Sequence, residues 1–171
     1  MSNCNVASTP LKTREKLRKE IDDEFVSVKL YKEIIGSLRY ICNTRPYICQ
    51  SVRLLSRFIE KPQEYHLIAA KRVLRYIKCT IDHGVLMSRQ KKTSLDAEVY
   101  GYNDSDFSGD QDEKKSTAGY IFIIEGALIS WSSRKQRIMV FSSCEAKHIV
   151  ASYASYQEAW IKMLLEELKI M

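Results

Sequence analysis

The spacing of apolar positions changes twice along this chain. From Val28 onward, Leu30, Tyr31, Ile34, Ile35, Leu38 and Ile41 recur at steps of three and four, which predicts an amphipathic helix. Gly36 inside that helix costs about 1 kcal/mol relative to Ala and implies a close helix contact there. Asn43-Thr44-Arg45-Pro46 stops this helix and starts another, because Asn43 or Thr44 can cap and Pro46 suits a first turn. Ile48, Val52, Leu55 and Phe58 give the second helix its apolar face. Lys61-Pro62 breaks it, and a third helix begins near Gln63 with Tyr65, Ala69, Val73, Tyr76 and Ile77 along one side. After Cys79 the helical period is lost. Residues 83–87 read as a short strand, residues 89–94 as a charged turn, and residues 97–102 as the body of a strand with Asp104 at its C-terminal end. Residues 120–124 form the next strand, Glu125-Gly126 is a hairpin signal, and residues 127–133 with Trp131 make its partner. Ser142-Ser143 caps a long helix whose period runs through Ala146, Ile149, Val150, Tyr153, Trp160, Met163 and Leu164. The expected layout is α/β: three helices, then β-β-β-α.

Residues 1–27 lack such a period. Ser8-Thr9-Pro10 is a turn signal, and the mixed charge run from Lys12 to Glu24 reads as a solvated flexible arm. The polar start Met1-Ser2-Asn3-Cys4-Asn5 has neither the charged nor the apolar region of a secretory signal, and no apolar run reaches the length of a bilayer span. The expected location is therefore cytoplasmic or nuclear, without a membrane partner. Five scattered cysteines with no C-x-x-C pair indicate neither a disulfide framework nor a zinc site, and read as idle thiols in a reducing compartment.

Charge divides the chain more sharply than its net value of +6 suggests. Residues 1–95 hold 19 Lys and Arg against 9 Asp and Glu, while residues 96–171 hold 8 against 12. A basic half beside an acidic one suits an enzyme of nucleic acid, and equally suits any two-part surface. Lys71, Arg75 and Lys78 fall on one side of the third helix at steps of four and three, a stripe that fits a phosphate backbone as well as it fits a solvated face. Arg72-Val73-Leu74-Arg75 matches the short R-x-L-R pattern of translocated effectors, here within a predicted helix. Between residues 101 and 110, three carboxylates and two glycines follow an aromatic run. Asp104 and Asp106 there are candidate ligands for a hard divalent cation such as Mg²⁺, and a turn rich in Asp and Gly would carry the same composition.

The motifs carry a more specific resemblance. Tyr31-Lys32-Glu33-Ile34-Ile35-Gly36-Ser37-Leu38-Arg39-Tyr40, Asn43-Thr44-Arg45-Pro46, Leu55-Ser56-Arg57-Phe58, Ala69-Ala70-Lys71-Arg72-Val73-Leu74-Arg75-Tyr76, the run from 101 to 110, Lys115-Ser116-Thr117-Ala118-Gly119-Tyr120, Ile129-Ser130-Trp131 and Ser142-Ser143-Cys144-Glu145-Ala146 together resemble the Pol polyprotein of copia-type retrotransposons. The chain looks like the end of the reverse transcriptase over residues 1–27, the helical connection over 28–80, and the first half of a ribonuclease H domain over 81–171. It is similar as well to secreted RxLR-type effectors.

The resemblance implies a truncated ribonuclease H-like fold, and a family chemistry in which two Mg²⁺ ions held by four carboxylates hydrolyse the RNA strand of an RNA–DNA hybrid. Asp104 matches the first of those carboxylates. The second belongs to a Glu-Ala-Glu-Tyr motif that reads Glu145-Ala146-Lys147-His148 here, so Lys147 stands where an acid is expected. Lys147 would repel Mg²⁺, and could pair with Asp104 in its place. Glu145, two residues earlier, lies about 200° around the helix and should point elsewhere. Truncation also leaves an edge of the first strand open to another chain. Three readings follow: a remnant without catalysis or bound Mg²⁺ that keeps affinity for nucleic acid, an effector-type interaction protein, and a nuclease completed by a partner chain.

Overall fold

Ser27 sets the start of the first helix, its Oγ accepting the Leu30 amide at 3.4 Å. The structure, a computed structural model, describes residues 4–12, 17–19, 23–87 and 98–169. It divides into two compact units, residues 1–84 and 85–171.

In the N-terminal unit, α1 (Val28–Ile41) buries Tyr31, Ile35 and Leu38, the residues that share one helical face. Tyr31 reaches further, donating its hydroxyl to the Leu55 carbonyl at 3.0 Å at the end of α2 (Cys49–Leu55). Single 3-10 turns at Pro46–Ile48 and Ser56–Phe58 lead into and out of α2. Pro46 fits the first of these because a first turn needs no amide donor.

The start of α3 (Glu64–Cys79) is held by His66, a buried polar residue. Its Nδ1 accepts the Gln63 amide at 3.1 Å, its Nε2 meets the Arg18 carbonyl at 2.8 Å, and its ring stacks on Phe58 with centroids 4.1 Å apart. A neutral imidazole carrying its proton on Nε2 satisfies both polar partners at once. The described parts of residues 1–27 run against this helix. Ala7 and Leu17 are buried, Arg72 donates to the Thr9 hydroxyl, and a β-bridge joins Phe25 to Gln63.

The C-terminal unit is an antiparallel sheet, order β1-β2-β3, with a helix across one face. β1 is Val99–Ser105, β2 Thr117–Ile124 and β3 Ala127–Lys135. Glu125 and Gly126, at φ +49° and +80°, make the two-residue turn whose twist suits a hairpin. The long helix α4 (Ser143–Glu167) packs Ala154, Ile161 and Leu165 around Phe122, with Val99, Tyr120 and Ile124 at the margin. Gly101 pairs opposite Phe122, and a Cβ on it would sit 2.6 Å from the Phe122 ring. Glycine is therefore what lets the ring lie flat across β1 beneath α4. Among the described residues β1 pairs with β2 alone, so its other edge carries no strand neighbour.

The molecule is thus mixed α/β, with the elements in the expected order. Four expectations fail. The described part of the run 12–24, read as a solvated arm, buries Leu17 and holds the start of α3 through Asp23. On α4 the positions Tyr153, Trp160, Met163 and Leu164, read as its apolar period, are exposed while Ala154, Ile161 and Leu165 enter the core. Residues 83–87 are irregular rather than a strand, and a Cβ at Gly36 would meet nothing within 4 Å. Gly36 lies off the Tyr31, Ile35 and Leu38 face, so helical geometry turns it to solvent. The charged turn at 89–94 and residue 97 lie outside the described residues. No helix among the described residues is long and apolar enough to cross a membrane.

Substitution of the two glycines should therefore have opposite signs. Gly36→Ala should raise stability by about 0.5–1 kcal/mol in urea unfolding, whereas Gly101→Ala should lower it by about 1–3 kcal/mol through overpacking on Phe122. The Tyr31 phenol gives a separate signature of the N-terminal unit. Burial raises its pKa well above the usual 10.0, so its contribution is whole below pH 10 and declines as pH rises further, by up to about 1.4 kcal/mol per pH unit. Tyr31→Phe should remove this alkaline loss while costing about 1–2 kcal/mol at neutral pH, because the Leu55 carbonyl is left without its donor.

Candidate functional site

Asp104 lies one residue before the end of β1, opposite Gly119, with its side chain exposed. Alternation along the strand places it on the face of Tyr100 and Tyr102, and not on the face of Gly101, which Phe122 and α4 cover. Asp106 has a different task. One carboxylate oxygen accepts the Thr117 amide, and its own amide donates to the Thr117 carbonyl at 3.2 Å. The other oxygen hangs over Gly109, where any Cβ would fall 2.0 Å from it. Asp106 therefore clasps the loop between β1 and β2.

A second clasp lies deeper in that loop. Asp110 is 4% exposed and pairs with the Lys135 ammonium at 2.5 Å, while its other contacts include the Glu113 amide at 3.1 Å. Lys135 also reaches Glu113 at 3.0 Å, and Glu113 reaches Lys115 at 2.8 Å. Buried Ser116 completes the loop, its Oγ accepting the Ser108 amide at 3.2 Å and its carbonyl accepting the Gln136 amide at 2.8 Å. Sequence reasoning missed Asp110 and Lys135 as a pair. Asp110 closes the motif from 101 to 110, but Lys135 stands outside the quoted motifs, and 25 positions of separation hide the contact until the hairpin folds back.

At the start of α4, Ser142 Oγ accepts the Glu145 amide at 3.1 Å and Glu145 Oε2 accepts the Phe141 amide at 2.8 Å. Glu145 is a helix cap, turned away from the side of Lys147. Lys147 and His148 are exposed, and Lys147 makes no ion pair with Asp104 among the described residues. No cluster of three or more His, Cys, Asp or Glu placed to hold a metal ion occurs among the described residues. Of the two candidate ligands, Asp106 is engaged with the Thr117 amide and Asp104 is exposed.

The stripe on α3 is partly engaged. Lys71 lies 3.7 Å from Glu64, Lys78 donates to the Cys4 carbonyl at 3.1 Å, and Arg75 is half-buried. In the R-x-L-R run, Val73 is in the core and Arg72 is held by Thr9, so helix packing accounts for half of that motif. Cys42 and Cys49 are buried thiols, and hydrogen bonding to Cys49 together with burial raises the Cys42 pKa far above the usual thiol range. One groove went unread in the sequence. It lies between α4 and the β2–β3 hairpin, has a volume of about 470 Å³, and is lined by arginines from the hairpin side and tyrosines from both.

The fold is thus mixed α/β, with an acidic residue near the end of an antiparallel first strand and a long helix packed across the sheet. The sequence has relatives among transposon polyproteins. The retrovirus-related Pol polyprotein from transposon RE1 of Arabidopsis thaliana is 39% identical over 99% of this chain, and that from transposon TNT 1-94 of Nicotiana tabacum is 36% identical over 98%. The chain spans 11% and 13% of those polyproteins. Secreted RxLR effector protein 161 of Plasmopara viticola is 36% identical over 77% of this chain, which covers 90% of that protein. The chain belongs to one family with this P. viticola protein, and it is similar to a segment of the copia-type Pol polyproteins. No family model matches the chain, and no solved structure matches it at a significant level.

The Asp110–Lys135 pair predicts a stability effect independent of any chemistry. Lys135→Met should destabilise the C-terminal unit by about 3 kcal/mol, since it strands a buried carboxylate, and adding Asp110→Asn should restore much of the loss. Urea titrations of both variants measure the difference.

Proposed function

We propose that this retrotransposon-derived chain is a ribonuclease H-like scaffold that does not cut nucleic acid by itself and retains affinity for it. The observation that carries the reading is Lys147. It stands on α4 where the resemblance calls for a second carboxylate, and the acids nearby are engaged elsewhere, Glu145 in capping the helix and Asp106 in closing the β1–β2 loop. An in-line displacement at phosphorus needs charge neutralised at both attacking and leaving oxygens, and one exposed aspartate cannot seat the two ions that do so. The order β1-β2-β3 followed by α4 supports the ribonuclease H-like assignment. The Lys71, Arg75 and Lys78 stripe supplies the positive charge for a phosphate backbone.

The near-complete coverage of the P. viticola protein supports a second reading, an interaction protein that captures another protein through the free edge of β1. Strand addition there would form backbone hydrogen bonds without using any basic residue.

A labelled RNA–DNA hybrid incubated with the full chain and Mg²⁺ should remain intact, and Lys147→Glu alone should not produce cutting. Mg²⁺-dependent cleavage abolished by Asp104→Ala would overturn the proposal in favour of a nuclease. Binding of the hybrid should weaken with salt, and the slope of log K against log salt should flatten by about two to three in the Lys71→Ala/Arg75→Ala/Lys78→Ala variant.

A further inference from the structure

The groove between α4 and the β2–β3 hairpin has a composition unlike the rest of its half of the chain. Residues 96–171 carry more acid than base, yet three of their eight basic residues, Arg134, Lys135 and Arg137, fall within four positions and line this groove. None of the lining residues is acidic. Lys135 is neutralised by Asp110 and Glu113 behind it. Arg134 and Arg137 are exposed and form no ion pair among the described residues, so their guanidinium groups are available to a ligand.

The opposite wall comes from α4. Tyr153 is 46% exposed and Tyr156 78% exposed, and both line the groove, while Trp160 continues the same flank at 57%. Steps of three and four residues place these rings on neighbouring positions of one helix side, rising about 4.5 and 6 Å in turn. Three large aromatic side chains left in water along one flank are not explained by the core, which α4 builds from Ala146, Val150, Ala154, Ile161 and Leu165. Gln157, between the rings, receives the Tyr120 hydroxyl at 3.5 Å and donates to Ser130 at 3.4 Å, which ties the floor of the groove to the sheet.

We propose that this groove binds single-stranded nucleic acid, with Arg134 and Arg137 on successive phosphates and Tyr153, Tyr156 and Trp160 stacking unpaired bases. The rings suit single strands because paired bases keep their faces covered by their neighbours, whereas unpaired ones present a face to any aromatic side chain. The guanidinium groups suit phosphate through their planar forked donors. A cleft of about 470 Å³ is of a size to take a nucleotide or two. The groove belongs to the C-terminal unit and the α3 stripe to the N-terminal one, and Tyr156 is nine residues from Lys147, about half a turn around α4.

Fluorescence anisotropy of the full chain with fluorescein-labelled oligo(dT) and with the matching dT·dA duplex tests the proposal. The single strand should bind more tightly than the duplex. Arg134→Ala/Arg137→Ala should weaken single-strand binding and flatten its salt slope by about 1.4, the share of two phosphates. Tyr153→Ala/Tyr156→Ala should weaken it by about tenfold or more with the slope unchanged, a split that loss of folding would not give. Circular dichroism confirms that both variants keep their helix. The proposal is overturned if folded Arg134→Ala/Arg137→Ala protein binds oligo(dT) as wild type does, or if the duplex competes equally and the tyrosine variants change nothing. Loss of binding in the α3 stripe variant alone would place the affinity on α3 and refute the groove, and intact binding there with loss in the groove variants would refute the stripe.

Discussion

The close approach of Phe122 to Gly101 is the contact on which the C-terminal unit depends. The unit has a small core, and its one fully buried aromatic ring can lie across β1 because the residue opposite has no side chain. With the ring there, α4 closes over the sheet through alanines and branched aliphatics, and its rotation about its own axis is set. That rotation decides everything else the helix presents. Lys147 comes out on one flank and the tyrosines on another.

The loop between β1 and β2 shows how acidic residues that look available for chemistry become part of the fold. Asp106 receives a backbone amide and Asp110 a buried ammonium, so both serve to hold the turn in which Ser108 and Lys114 adopt positive φ. Such positions strain any residue other than glycine, and the clasps offset that strain. The polypeptide therefore keeps an acid-rich motif whose stability role does not depend on catalysis. This separation between loop architecture and ion binding is what makes a scaffold without nuclease chemistry physically coherent.

Charge is distributed on a similar principle. The basic excess of the first 95 residues is partly engaged within its own unit, through Lys71 with Glu64, Lys78 with a carbonyl and Arg72 with Thr9. The acidic half holds fewer cations, but the hairpin gathers three of them beside aromatic rings. Local arrangement thus outweighs net charge in deciding where a polyanion would be drawn, since a long-range field falls away within a Debye length of about 8–10 Å while a contact does not.

Much of the architecture was legible in the order of residues alone. The periods of α1 and α3, the Pro46 start, the Glu125-Gly126 turn and the Ser142 cap are local signals, and each depends on residues within a turn or two of one another. The position of Asp104 near the end of β1 and the lysine at 147 were equally readable, because a motif is a linear object. Tertiary structure decided what required distant residues to meet. It turned Gly36 to solvent and Gly101 beneath a ring, although both are glycines within regular elements. It paired Asp110 with Lys135 and engaged Asp106 with Thr117, and it set two arginines of β3 and its following loop against tyrosines of α4. None of these contacts has a period or a spacing, since the hairpin and the helix crossing that create them depend on the packing of the whole unit.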